Sequence, residues 1–406
     1  MKILIFIFFS FIFSQNSILS INGFGESNNY QNSTSSATGQ IELFSISSNS
    51  GNPSAIATIW KNRFTSINVT SQFQSLHISQ LNIFTNGIEL LSISFPISDY
   101  KVLQFSINPQ YWSQYSINEN NQNEVFEFNG INYSYNSHYY GRGGFSSFGL
   151  TWSQKINDKF SIGVGLDNYF GNKFQSDSTF LYNISMNAEG EDIISPNSLS
   201  ITNSTHHYQG YGLKFAGIFY IKNLELGFSL KQVGPFIISK NKYYSVGLIQ
   251  SEEIIENIEL LYRQFNFGLK SKITKNFGIL TELKTKDWQN LNPNLLILHS
   301  QNYNEKRFSL GSYYDFLNIG RGYFDSVSFR SGLFYKVFEN FDTTLLIKDY
   351  GVTIGSGFRY NNNANSINLS IIFGNRNYNV YGIQSEEYID FILGIEVGEN
   401  GLKKNN

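Results

Sequence analysis

The strongest constraint on this chain is a strict two-residue alternation that begins at Phe64 and persists to Val397. Lys159–Phe170, KFSIGVGLDNYF, is its clearest stretch. Phe160, Ile162, Val164 and Leu166 fall on one face, and Ser161, Gly163, Gly165 and Asp167 on the other. Successive side chains on an extended strand point to opposite faces, so one face is greasy and the other small and polar. A soluble sandwich turns the greasy face into a core. A membrane barrel turns it to lipid and keeps the small polar face for the lumen. The same alternation recurs at Leu224–Lys231, Gln264–Lys270 and Tyr388–Val397.

Composition decides between the two. A chain of 406 residues exceeds one ordinary sandwich. Charged residues make up 15%, against roughly 25% in soluble domains, while aromatics reach 17%. After the first residues no run is apolar enough for a membrane helix, which needs about 20 such residues. The periodicity predicts strands near 64–78, 87–97, 101–117, 143–156, 159–177, 204–221, 224–240, 255–273, 277–290, 304–316, 326–337, 349–360, 365–376 and 387–398. Short turns at Ser98–Tyr100, Ile156–Asp158, Lys222–Asn223, Thr274–Asn276 and Asn361–Ala364, and a longer one at Leu317–Asp325, alternate with longer Asn-rich connections. Those lie near 79–86, 118–142, 178–203, 241–254, 291–303, 338–348 and 377–386. Outer-membrane barrels have short periplasmic turns and longer extracellular loops. With both termini periplasmic, the parity closes on an all-β, 14-stranded antiparallel transmembrane barrel over residues 63–398, followed by a polar tail, 399–406. The stretch 123–137 reads as a hairpin and is assigned to a long outer loop, because counting it as barrel strands breaks the parity.

The amino terminus, MKILIFIFFSFIFSQNS, carries one Lys and then an apolar run from Ile3 to Phe13 interrupted only by Ser10. This is a secretory signal, residues 1–20, too short to span a membrane. Together with the barrel pattern it implies the outer membrane of a Gram-negative-type envelope. Residues 21–62 are rich in Asn, Ser, Thr and Gly, with weak alternation. They read either as a disordered periplasmic leader or as a folded plug inside the barrel.

Catalytic and metal chemistry find no support. The absence of Cys removes a lipid anchor, a disulfide framework and thiolate chemistry together. His77, His138, His206, His207 and His299 lack metal-ligand spacing, and no Ser-His-Asp alignment is visible. We expect no enzyme activity, no cofactor and no metal site. A net charge of −2 argues against a nucleic-acid partner. Tyr111-Trp112, Tyr169-Phe170, Tyr313-Tyr314 and Tyr335 gather near strand ends, as interfacial girdles do. Charges on the lumenal face carry both signs: Glu225, Lys231, Lys270, Glu282, Lys284, Arg330, Arg359, Asp390 and Glu396. Mixed signs suit a hydrogen-bonded interior more than an ion-selective pore.

Several stretches in order then resemble one family. They are Gly23-Phe24-Gly25, Asn52-Pro53-Ser54-Ala55, SFRSGLFY from Ser328, KDYGVTIGSGF from Lys348, and FGNR from Phe373 followed by QSEEYIDFILGI from Gln384. Together they are similar to the compact branch of the outer-membrane long-chain fatty acid transporter family (FadL/TodX). The resemblance implies passive uptake of hydrophobic compounds through a barrel set in outer-membrane lipid. It implies a hatch over residues 21–62 with its motif at Asn52, Pro53, Ser54 and Ala55; Ser54 stands where the family has Ala. It also implies a kink in the third strand that lets ligand leave sideways, and Asn108-Pro109 is the match. Pro cannot donate to a ladder, so it marks either a bulge near a strand end or such an opening. In the connection 241–254, apolar Tyr243, Tyr244, Val246, Leu248 and Ile249 are candidates for ligand capture, as is the hairpin Val125–Tyr135. The alternative reading is an outer-membrane scaffold that binds partner proteins in secretion or assembly. A polar diffusion pore would lack a plug, and an outer-membrane hydrolase would need a catalytic constellation that the sequence does not display.

Overall fold

The computed structural model describes residues 26–27, 32–45, 54–78, 81–128, 131–186, 192–246, 249–250, 254–290, 303–317, 324–340, 346–380 and 383–400. The signal segment lies outside them. The barrel strands are β1 (Phe64–Ile78), β2 (Leu81–Ser98), β3 (Lys101–Phe128), β4 (Ile131–Asn157), β5 (Phe160–Met186), β6 (Asp192–Ile221) and β7 (Leu224–Val246). They continue as β8 (Ile254–Lys272), β9 (Phe277–Asn290), β10 (Tyr303–Leu317), β11 (Ser326–Asn340), β12 (Leu346–Tyr360), β13 (Asn365–Val380) and β14 (Ile383–Asn400). Each pairs antiparallel with its sequence neighbours, and β14 pairs with β1, from Glu387↔His77 to Asn400↔Phe64. The result is the expected 14-stranded closed barrel. Closure pairs the first strand with the last, so neither is an edge whose N–H and C=O groups lipid would not solvate.

The two faces divide as the alternation requires. Val164, Leu166, Phe265, Phe267, Leu283, Phe308, Phe329 and Phe391 are exposed on the outer face. Ser161, Glu225, Lys270, Glu282, Lys284, Arg330, Asp390 and Glu396 are buried on the inner one. Adjacent residues must point opposite ways, so the aromatic pairs split. Trp112, Phe170 and Tyr314 face outward, whereas Tyr169 and Tyr313 are buried inside. Only one member of each pair belongs to a girdle.

Strand length corrects the expected loops. β3 to β7 have 28, 27, 27, 30 and 23 residues, whereas β8 to β14 have 14 to 19. The hairpin assigned to an outer loop is instead the far end of β3 and β4, whose ladder runs from Lys101↔Gln154 to Phe128↔Ile131. Continuing a ladder already begun satisfies each new N–H and C=O without a separate fold, so the strand count does not change. Likewise Tyr243, Tyr244 and Val246 lie on β7, paired with Asn203, Thr202 and Ser200, and not in a loop. Val246 pairs with Ile249 in a short hairpin; Leu248 lies outside the described residues. The last strand also runs to Asn400, so Glu399 and Asn400 belong to the sheet and not to the tail.

Candidate functional site

Residues 32–45 and 54–62 pack against the inward face of the barrel. The first part starts with a four-residue helix, Ser33–Ser36, whose N-cap Asn32 accepts from the backbone N–H of Thr34 at 2.8 Å and of Ser35 at 3.0 Å. The following turn needs Gly39, at φ +73°. It lies so close to β11 that a Cβ added at Gly332 would sit 2.2 Å from the Gly39 nitrogen. On the opposite wall a Cβ at Gly163 would sit 2.4 Å from the Ile56 carbonyl. The glycines on the lumenal face are therefore clearance for a second layer of chain.

Beyond the turn, an ion cluster fixes the segment to β8–β10. The backbone N–H groups of Glu42 and Leu43 donate to Glu282 Oε2 at 2.9 and 2.8 Å. Arg307 Nη2 donates to Glu282 Oε1 at 2.8 Å and to Glu42 Oε1 at 3.1 Å, and Lys284 Nζ donates to Glu42 Oε1 at 2.9 Å. Burial alone would raise the Glu42 carboxyl, but Lys284 and Arg307 outweigh it and hold it at about 2. Apolar contacts complete the fit: Ile41, Leu43, Phe44, Ile56 and Ile59 cluster with Val102, Ile218 and Leu280 of the wall.

The second part of the segment carries half of the expected hatch motif. Asn52 and Pro53 lie outside the described residues. Ala55 accepts from the Thr58 N–H and hydroxyl, each at 2.9 Å. Ser161 Oγ donates to the Ala57 carbonyl at 2.8 Å, and Lys61 pairs with Glu225 at 3.4 Å.

The expected kink faces this segment. The β2–β3 ladder runs from Ser98↔Lys101 only to Leu91↔Ile107. Beyond Ile107, among the described residues, β3 pairs on that side only with Glu26–Ser27, opposite Trp112 and Tyr111. On its other side β3 keeps its ladder with β4 but slips one residue, since Pro109 pairs with Ser146 and Tyr111 with Phe145, leaving Gln110 extra. Asn108 accepts from Ser147 at 2.9 Å, and Gln110 donates to the same hydroxyl at 3.1 Å. Ser54 and Asn108, singled out separately by sequence, share one lumenal cavity of about 40 Å³ with Gln110, Asp167 and Lys231. That volume holds water, not a hydrophobic ligand, for which sites span about 300–1,000 Å³. Tyr243 and Tyr244 do not line it.

Sequence reasoning missed the aromatic cluster that fills the lumen nearby. Phe145, Tyr169, Tyr208, Phe236, Tyr262 and Trp288 are buried together, with Tyr111 against them. Ring centroids lie 4.7 Å apart for Tyr262–Trp288, 4.9 Å for Phe145–Phe236 and 5.1 Å for Tyr111–Phe145. Lys286 bonds the Tyr111 hydroxyl and stands 4.5 Å from its ring centroid, and Lys231 stands 5.4 Å from that of Tyr169. The signal was present: these rings occupy positions that the two-residue alternation sends to the inner face. The cluster is a buried apolar packing of tilted rings with two ammonium groups at its border, beside the place where the β2–β3 ladder stops. Among the described residues no group of three or more His, Asp or Glu is arranged to hold a metal ion.

The family model described as BamG matches residues 1–405. No curated protein matches the chain. Among solved structures, a Pseudomonas aeruginosa FadL homologue superposes with TM-score 0.56 at 10% identity, covering 94% of this chain and 100% of its own. The CymD monoaromatic hydrocarbon channel gives 0.55 at 12%, covering 93% and 99%. The Pseudomonas putida toluene transporter TodX gives 0.51 at 12%, covering 95% and 100%. The resemblance read from sequence therefore holds at the level of the fold.

Proposed function

The chain belongs to the BamG family, and from its geometry we propose that it is an outer-membrane channel for passive entry of hydrophobic compounds, long-chain fatty acids or similar molecules. In this reading residues 21–62 act as the hatch, and ligand leaves sideways between β2 and β3. The observation that carries it is the ladder that stops at Leu91↔Ile107, just before Asn108-Pro109, with the aromatic cluster on its inner side. A compound resting on Tyr111 and Phe145 would lie beside the place where β3 parts from β2 and would have no polar lumen to cross. The small cavity at Ser54 and Asn108 is the closed state of this path, so opening requires the hatch to shift. The test uses Gram-negative cells that lack their own fatty acid channel. Those making this chain should take up radiolabelled oleate faster than cells with an empty vector. Replacing Pro109 by Val and deleting Gln110, which restores an unbroken register, should lower that uptake about tenfold. Uptake no faster than the vector would refute the channel.

A second reading has its own observation. β3 to β7 are far longer than the roughly 9–11 residues that a crossing strand needs, so the wall they form continues well outside the membrane. A tall sheet suits a scaffold that holds partner proteins in secretion or assembly. Chemical cross-linking in native membranes would then join a defined protein to β3–β7, and oleate uptake would stay at the vector's level.

A further inference from the structure

The outer face of β4–β7 carries a groove of about 430 Å³ that the channel reading does not use. It forms where Gly234 and Pro235 of β7 together oppose one residue, Tyr211 of β6, between the pairs Gly210↔Phe236 and Gly212↔Val233. An extra residue bends a strand away from its neighbour, and here it opens the membrane-facing surface of the wall.

The lining is ordered along the membrane normal. On the side of the short turns lie Leu150, Leu166 and Leu213, cross-strand neighbours through Leu150↔Leu166 and Leu166↔Leu213. Gln232 closes that row beside Leu213, and one step further from the turns Phe148 pairs with Asn168 and Asn168 with Tyr211. Asn168 and Gln232 are exposed polar side chains beside leucines; along β5 the row reads Phe160, Ile162, Val164, Leu166, Asn168, Phe170. Asn168 stands eight residues past Phe160, or roughly 20 Å from the turn for a tilted strand. That height approaches the rim of an apolar band about 25 Å tall. The floor is Asp167, whose charge is met from within by Lys214 at 2.7 Å and Lys231 at 3.5 Å.

The geometry points to a specific site for a lipid of the surrounding bilayer: one acyl chain lies along Leu150, Leu166 and Leu213, and its polar linkage region bonds Asn168, Gln232 and the Tyr211 hydroxyl. Volume, leucines bordered by two amides and a phenol, and height match a single chain with its ester or amide head, and no uncompensated charge in the lining asks for an ionic partner. A generic lipid contact needs no bulge and no lipid-facing amide; this groove has one bulge and two amides converging on it.

The full chain is extracted from its membranes in mild detergent, and retained lipids are counted by native mass spectrometry. Asn168→Phe fills the groove and removes one amide. Gln232→Leu removes the other and serves if the first variant does not fold, which heat-modifiable gel mobility reports. Leu283→Phe, on the outer face of β9, controls for general lipid contact. The wild type and the control should keep one lipid per chain, and the groove variants at least tenfold less. Equal retention in all, or none in the wild type, overturns the site. A stoichiometric protein released by the same two substitutions overturns lipid as the occupant.

Discussion

The two halves of the wall are built to different tolerances. From β8 to β13 every ladder runs without a register shift. This half supplies Glu282, Lys284 and Arg307, which hold Glu42. From β1 to β8 the ladders slip at Thr70/Ser71, Pro96/Ser98, Pro109/Tyr111, Gly210/Gly212 and Leu260/Tyr262. This half holds the interrupted β2–β3 ladder, the aromatic cluster and the outer groove. The difference follows from what each half must keep in place. The cluster around Glu42 joins charges from two neighbouring strands, Glu282 and Lys284 of β9 and Arg307 of β10, and a one-residue slip between them would carry its inward charges to the lipid face. Apolar contact is non-directional, so rings can repack around a bulge. The regular half is the anchor and the irregular half is the part free to deform.

The largest effect should come from breaking the anchor. Arg307→Met leaves Glu42 and Glu282 buried against one another without their shared guanidinium. Removing one partner of a buried ion pair costs about 3–5 kcal/mol. The amino-terminal segment should leave the wall while the barrel persists, so brief proteolysis should cut within residues 32–62 and leave β1–β14 intact. Equal resistance in the variant and the wild type would remove the distinction between the halves.

Acid should act on the same contact. Glu42 titrates well below the usual carboxylate range because Lys284 and Arg307 face it. A depressed pKa means that its stabilisation is complete above the ordinary carboxyl value of about 4.3 and is lost as pH falls through about 2. The part of the segment's protease resistance that rests on Glu42 should therefore be complete at neutral pH and be lost only under strong acid. A loss centred near pH 6 would place the anchor elsewhere.

Which parts of this were legible follows from the range of the signal. Strand number, inside-outside assignment and the lumenal charges Glu282 and Lys284 follow from a two-residue period, a local property. Docking of the segment does not. Gly332 and Gly39 are nearly three hundred residues apart in sequence, and neither reveals that a glycine on β11 is clearance for another chain segment. Arg307 and Glu42 escaped notice for the same reason: each is one charge among many until register sets them against Glu282. The aromatic pairs show the opposite error. Tyr169-Phe170 was read as one girdle element, although alternation alone sends Tyr169 inward. The ends of β3–β7 were shortened because polar, Asn-rich sequence looks like loop. A ladder already in register extends through such sequence at little cost.

A smaller effect should come from filling the clearance. Gly332→Val adds side-chain atoms where the Gly39 backbone passes. Overpacking of this kind costs about 1–3 kcal/mol, and either the segment or β11 must move. Because both ladders of β11 are free of shifts and lie within a run of five such ladders from β8 to β13, the segment should yield. Amide hydrogen exchange should then rise across residues 37–43 and stay unchanged in β10–β12. Exchange rising in β11 instead would mean that the regular half is no stiffer than the other.

The smallest effect is expected in the aromatic cluster. Tyr262→Leu removes the ring stacked on Trp288 at 4.7 Å but keeps an apolar side chain at a buried position. Such ring pairs contribute about 0.5–1.5 kcal/mol beyond their buried area. Because the neighbours are rings on a wall that already slips between Leu260 and Tyr262, they should close over the gap. Barrel stability should fall by about 1 kcal/mol, and the amino-terminal segment should keep its protease resistance. The same variant also tests the deformable half directly. Phe145, Tyr169, Tyr208 and Phe236 contact one another independently of Tyr262, so a compliant cluster loses one contact and retains the rest. A destabilisation as large as that of Arg307→Met would require the rings to be held as rigidly as the ions. The contrast between a fixed wall and a yielding one would then fail at the position chosen to show it.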